Sequence, residues 1–177
     1  MLQMKQIVTV VALLLCGANI VKASDLDSLL VEEYRAGRNH VSRIIEEERL
    51  KDSLLGHSFY AYLVGDACFI IVDKSDALVM YYSQGRCDSI STSSFPKEND
   101  ELATPFKLKD LNLGGDKRMY SKEYTPFYTY FVLFDSSLDI CFEWSSSTTT
   151  AHHDAVVNSA LKRCVSFLYE KTDSFSF

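Results

Sequence analysis

Glycine and proline are scarce, at 7 and 3 of 177 residues, which excludes collagen-like and low-complexity chains. No run of 18 apolar residues occurs, so no segment reads as a membrane span. Basic residues are outnumbered, 18 Lys and Arg against 24 Asp and Glu. An acidic chain gains nothing from phosphate counterion release, which argues against nucleic acid and anionic membranes as partners.

Several motifs are missing as well. There is no Gly-x-x-x-x-Gly-Lys-Ser/Thr phosphate loop, and Gly114-Gly115-Asp116-Lys117 lacks that spacing. No Gly-x-Ser-x-Gly nucleophile elbow occurs. None of Asn19, Asn39, Asn99, Asn112 and Asn158 stands in an N-glycosylation acceptor site. Asp73, Lys74 and Asp76 fit turn chemistry and lack the further oxygen ligands that calcium requires.

The N-terminus does carry a pattern. Lys5 precedes an apolar stretch, Ile7 to Cys16, broken only by Thr9, and Val21-Lys22-Ala23 follows with short side chains. That order reads as a secretory signal peptide over residues 1–23, with a mature N-terminus at Ser24 and a secreted, periplasmic or extracellular destination. The large Leu15 before Cys16 argues against lipidation of that cysteine. Cleavage would take Lys and Arg from 18 to 16 against 24 acids, so the net charge would move from −6 to −8.

Residues 24–177 then have the size of one globular domain. It retains Cys68, Cys87, Cys141 and Cys164, and an even count in an exported chain points to two disulfides. Pairing Cys68 with Cys87 and Cys141 with Cys164 closes two local loops. Gaps of 19, 54 and 23 residues bring no two ligands close enough for an ordinary zinc site.

The apolar positions Leu26, Leu29, Leu30, Tyr34, Val41, Ile44 and Ile45 have helical spacing. Ser24 or Asp25 is the expected cap, and Gly37 is expected to kink or split the helix. Beta signals follow in Phe59 to Val64, Ala67 to Val72 and Ala77 to Tyr82, joined by short turns into an antiparallel meander. The polar stretch 83–104 reads as a surface loop, Phe106-Lys107-Leu108 as the start of a short strand, and Gly114-Gly115 as a turn.

Phe127 to Phe134 and Leu138 to Trp144 form a hairpin around Asp135-Ser136-Ser137. With Phe134 opposite Leu138, one face would hold Tyr130, Val132, Ile140, Phe142 and Trp144, and the other Phe131, Leu133, Cys141 and Glu143. A final helix is expected after a Thr150 cap, with Val157, Leu161, Cys164 and Leu168 on its stripe. If Cys141 meets Cys164, that helix covers the Phe131 face and the N-terminal helix the Trp144 face. The fold class is therefore α+β: an antiparallel sheet of about five strands, meander plus C-terminal hairpin, flanked by two helices.

The candidate chemistry is thin. His152-His153-Asp154 places adjacent imidazoles about 100° apart on a helix, a poor grip for one ion. Strand parity puts Glu143 on the more polar face, where a solvated acid is expected. No catalytic, cofactor-binding or metal-binding residue is therefore assigned. If the protein were an enzyme, His57, His152, His153, Glu143 and Asp66 would be its pool of acid–base groups. Seven aromatics between Met119 and Phe134 exceed what a core readily absorbs, and exposed ones would suit recognition. The expectation is a non-catalytic binding or interaction module for a protein or a small apolar ligand. An enzyme with dispersed groups and an apolar-ligand carrier are the alternatives.

Overall fold

The computed structural model describes residues 23–84, 90–111, 118–121, 129–146 and 155–172. Contacts divide the chain into two units, Met1–Glu32 and Glu33–Phe177, and of the first only the helix beginning at Ala23 is described. No helix among the described residues is long and apolar enough to cross a membrane.

Helix α1 runs Ala23–Glu47 without a break, and Ser24 and Asp25 lie inside it rather than capping it. Its stripe from the second unit, Tyr34, Gly37, Val41 and Ile44, is buried at helical spacing. The end is a Schellman motif. Arg49 takes a left-handed φ of 56°, Leu50 N–H donates to the Ile45 carbonyl at 2.9 Å, and Arg49 N–H to Glu46 at 3.1 Å. One further turn, α2 (Lys51–Leu54), buries Leu54 before Gly56 stops the helical path at φ 84°.

The meander is as the apolar runs foretell: β1 Phe59–Val64, β2 Ala67–Val72 and β3 Asp76–Ser83 pair antiparallel. The first turn, Gly65-Asp66, uses a positive φ of 57° that only glycine adopts without steric cost. Then the structure departs from the expectation. Residues 83–104 are not a plain loop, because Ser91–Pro96 form β4 on the edge beside β3 and Asp100–Ala103 form a helical turn, α3. Asn99 caps α3, its Oδ1 accepting from Leu102 N–H at 3.1 Å. Phe106-Lys107-Leu108 is not a strand either: it belongs to a 3-10 helix, Thr104–Asp110, which Pro105 favours at its first turn.

β5 (Arg118–Ser121), β6 (Thr129–Phe134) and β7 (Ile140–Ser146) complete a seven-stranded sheet in the order β4-β3-β2-β1-β6-β7-β5. Six strands are antiparallel; β5 joins β7 in parallel at the far edge. Helix α4 (Ala155–Glu170) closes the fold. The class is α+β, with seven strands in place of about five. Gly114-Gly115, Thr150 and Asp154 lie outside the described residues.

Two apolar layers sandwich the sheet. On one side Val157, Leu161, Cys164 and Leu168 of α4 pack with Tyr60, Tyr62, Phe69, Ile71, Phe131, Leu133, Phe142 and Trp144. On the other, Tyr34, Val41 and Ile44 of α1 pack with Phe59, Ala61, Leu63, Ile70, Val72, Tyr130 and Val132. The helix α4 does cover Phe131, but it covers Trp144 too, and α1 does not.

The cause is the hairpin register. Phe134 faces Ile140, not Leu138, and a bulge between Leu133 and Phe134 shifts the parity of β7. Leu138 itself sits in the turn at φ 69°, the left-handed residue of a three-residue loop, with its N–H on the Asp135 carbonyl at 3.1 Å. Of the aromatic surplus, Tyr130 and Phe131 are fully buried and Phe134 stacks on Phe59 at 4.6 Å, so these three are core.

No disulfide forms among the described residues. Cys68 and Cys164 are buried free thiols, so Cys164 is not joined to Cys141, and Cys87 lies outside the described residues. Cys164 Sγ instead lies 3.3 Å from the Tyr60 hydroxyl, while half-buried Cys141 turns toward the Asp139 carbonyl at 3.8 Å.

Candidate functional site

The bulge in β7 determines where Glu143 goes. It turns Glu143 onto the α1 face, where it is 3% exposed rather than solvated. A lone carboxylate there would be costly, and three contacts neutralise it. Arg38 of α1 reaches it in a two-pronged pair, Nη2 to Oε1 at 2.8 Å and Nε to Oε2 at 3.0 Å. The Tyr130 hydroxyl donates to Oε2, also at 3.0 Å.

Gly37 makes this approach sterically feasible: a Cβ there would meet the Tyr130 ring at 2.5 Å. The glycine expected to weaken the helix is instead where the helix touches the sheet. Tyr34 adds an edge-on contact to Tyr130 at 6.0 Å. The carboxylate raises the Arg38 pKa, chiefly through the hydrogen bond, against a smaller opposing effect of burial. This cluster is a latch between α1 and the sheet, buried at Glu143 and open to solvent at Arg38. Ser145, next on the same face of β7, is fully buried, and its hydroxyl oxygen has no hydrogen-bond partner among the described residues.

The described members of the acid–base pool do not converge. His57 is half-buried ahead of β1 and Asp66 is exposed in the turn after it, about 20 Å apart along a six-residue strand. Glu143 pairs with Val132 on β7, one strand in from the far edge, and His152 and His153 lie outside the described residues. Among the described residues no group of three His, Cys, Asp or Glu could hold a metal ion. The thiols are poor nucleophiles in place. Burial pushes both Cys68 and Cys164 up to about 12, and the Tyr60 hydrogen bond only partly offsets this at Cys164.

His40 on α1 is the titratable group with a consequence near neutrality. Burial, and secondarily Arg43, lower its pKa below 6.5, while Asp66 and Glu47 pull weakly the other way. The unfolded chain therefore takes up a proton near pH 6.5 that the folded chain refuses. The stability associated with His40 is present above that pH and lost as pH falls through it. Urea midpoints measured at about pH 7.5 and 5.5 are expected to fall less in His40→Gln than in the unsubstituted protein. Equal slopes would show that His40 contributes nothing.

A concave site does exist, where sequence reasoning did not look. A cavity of about 230 Å³ opens between the β3–β4 hairpin and the α3–3-10 segment. Its floor is Ala77, Leu102, Ala103 and Phe106, and its rim is Asp73, Lys97, Lys107, Lys109 and Asp110. The Lys97 Nζ pairs with Asp73 Oδ1 at 3.0 Å. Neither Lys107 nor Lys109 has an ion pair among the described residues.

The floor is fixed by the sheet beneath it. Leu102 is 1% exposed, its carbonyl accepts from the buried Tyr60 hydroxyl at 3.1 Å, and Phe106 meets the Tyr60 ring edge-on at 4.8 Å. The only local signal for this site was Lys107-x-Lys109, and reading it as part of a strand hid it.

No protein-family model, curated protein or solved structure matches the chain.

Proposed function

We propose that the protein is a small exported binding module with no chemistry of its own, and that it binds at the cavity beside the 3-10 helix. The observation that carries this reading is the combination of a preset apolar floor with two lysines, Lys107 and Lys109, that have no ion-pair partner among the described residues. Ligand pockets have that make-up: mostly apolar walls with a few polar groups that orient the occupant. Export rests on the Lys5, Ile7–Cys16 and Val21-Lys22-Ala23 order at the N-terminus.

Two further features favour binding over catalysis. The buried Glu143 is occupied by Arg38 and Tyr130, and the buried Tyr60 by Leu102 and Cys164. Of the remaining acid–base candidates, His57 and Asp66 lie at opposite ends of β1 and neither lines the cavity.

Native mass spectrometry of protein recovered from exporting cells, followed by incubation with a metabolite extract, tests the reading. The expected result is a discrete small-molecule adduct that leaves on denaturation unchanged in mass. Multiple turnover of an extract component, lost in a His57→Asn or Asp66→Asn variant, would overturn it in favour of an enzyme.

A further inference from the structure

We propose that the cavity selects a small organic acid, its single negative charge between Lys107 and Lys109 and its hydrocarbon part on Ala103 and Phe106. This inference rests on the binding-module reading and names the ligand class.

The first argument is charge. The chain carries a net −6, yet this rim holds three lysines and two aspartates, a local surplus of one positive charge. Lys97 is already matched by Asp73, which leaves, among the described lining residues, the two lysines of the 3-10 helix against one further acid, Asp110. One surplus charge suits a monoanion and disfavours a cation.

The second argument is the floor. An inorganic anion would use the rim and leave the half-buried Ala103 and Phe106 with nothing against their open sides. A neutral apolar molecule would cover the floor but leave the ammonium groups without a counter-charge while displacing their water. Only a molecule with both parts uses both surfaces.

The third argument is size. A cavity of about 230 Å³ falls below the 300–1,000 Å³ range of drug-sized ligand sites, so the ligand is a compact acid and not a long-chain lipid. Because Lys107 and Lys109 are exposed, salt screens the attraction and binding weakens as ionic strength rises.

Phenylacetate is the probe, with 2-phenylethanol, 2-phenylethylamine and inorganic phosphate as comparisons, each titrated into the full-length protein and followed by amide NMR shifts. Phenylacetate is expected to bind with a Kd on the order of 1 mM and to shift Leu102, Ala103 and Phe106. The alcohol, the amine and phosphate are each expected to bind at least about fivefold more weakly. Lys107→Gln/Lys109→Gln, at exposed positions that leave folding intact, should weaken phenylacetate about five- to tenfold and leave the alcohol unchanged. Lys107→Arg/Lys109→Arg should keep it.

Equal binding of acid and alcohol, or an unchanged phenylacetate Kd in the glutamine variant, overturns the proposal. So does absence of binding at about 20 mM probe. If the probes fail while an extract-derived molecule stays bound, only the ligand class is wrong. If neither binds, the module reading falls with it.

Discussion

Replacing Arg38 with leucine is expected to cost about 2–4 kcal/mol of folding stability, because it strands a charge that the fold has already buried. Glu143 is 3% exposed and takes two guanidinium contacts, at 2.8 and 3.0 Å. After the substitution the Tyr130 hydroxyl is the one side-chain donor left to it among the described residues. The Arg38 side chain is 44% exposed, so water reaches part of the vacated space and holds the cost below the upper limit for a fully enclosed pair.

In a domain of this size that loss corresponds to a Tm lower by about 5–12 °C. Arg38→Lys is expected to fall between the two, since a point-charge ammonium cannot make the two-pronged contact. Adding Glu143→Gln to Arg38→Leu is expected to recover at least about half of the loss, because an amide is far cheaper to bury than a carboxylate. Urea denaturation of the four proteins measures all of this. A change under about 0.5 kcal/mol in Arg38→Leu would mean that the pair is a surface contact of no consequence.

Much of the fold was legible because its determinants are local. The runs Phe59–Val64, Ala67–Val72 and Ala77–Tyr82 are separated by turn residues and match the observed strands within a residue or so. The stripe of Val157, Leu161, Cys164 and Leu168 is the buried face of α4. What failed was long-range. The partners Arg38 and Glu143 are 105 residues apart, and no local pattern announces a carboxylate that will meet an arginine on a distant helix.

A single bulge after Leu133 reversed the face of Glu143, since side-chain parity along a strand is all or nothing. β4 was missed because Ser91-Thr92-Ser93-Ser94 has loop composition; its strand geometry comes from pairing with β3 and from Phe95 packing at its end. The candidate binding site was hidden for the same reason as β4. Its floor and rim come from β3, the end of β4, α3 and the 3-10 helix, and the cavity exists only once these pack on Tyr60.

Tyr60 is the residue on which that packing turns, and Tyr60→Ala is expected to cost about 3–5 kcal/mol, the usual range for truncating a buried aromatic. The side chain is fully buried at the centre of the α4-side core. Its ring contacts Phe106 and Phe131, at 4.8 and 5.3 Å between centroids. Its hydroxyl joins two other elements to β1, donating to the Leu102 carbonyl at 3.1 Å and lying 3.3 Å from Cys164 Sγ.

Tyr60→Phe separates the two roles. It keeps the ring contacts and strands a buried carbonyl, which is expected to cost about 1–2 kcal/mol. The effect should be local as well as global: amide exchange in the α3–3-10 segment should quicken more than in β2 or β3, because the lost bond ties that segment to the sheet. Phenylacetate binding should weaken in Tyr60→Phe without any change to the lysines, since the floor that carries the hydrocarbon part is no longer held. Uniform exchange across the sheet and the α3–3-10 segment, with an unchanged phenylacetate Kd, would show that the Tyr60 hydroxyl stabilises the core without positioning the cavity.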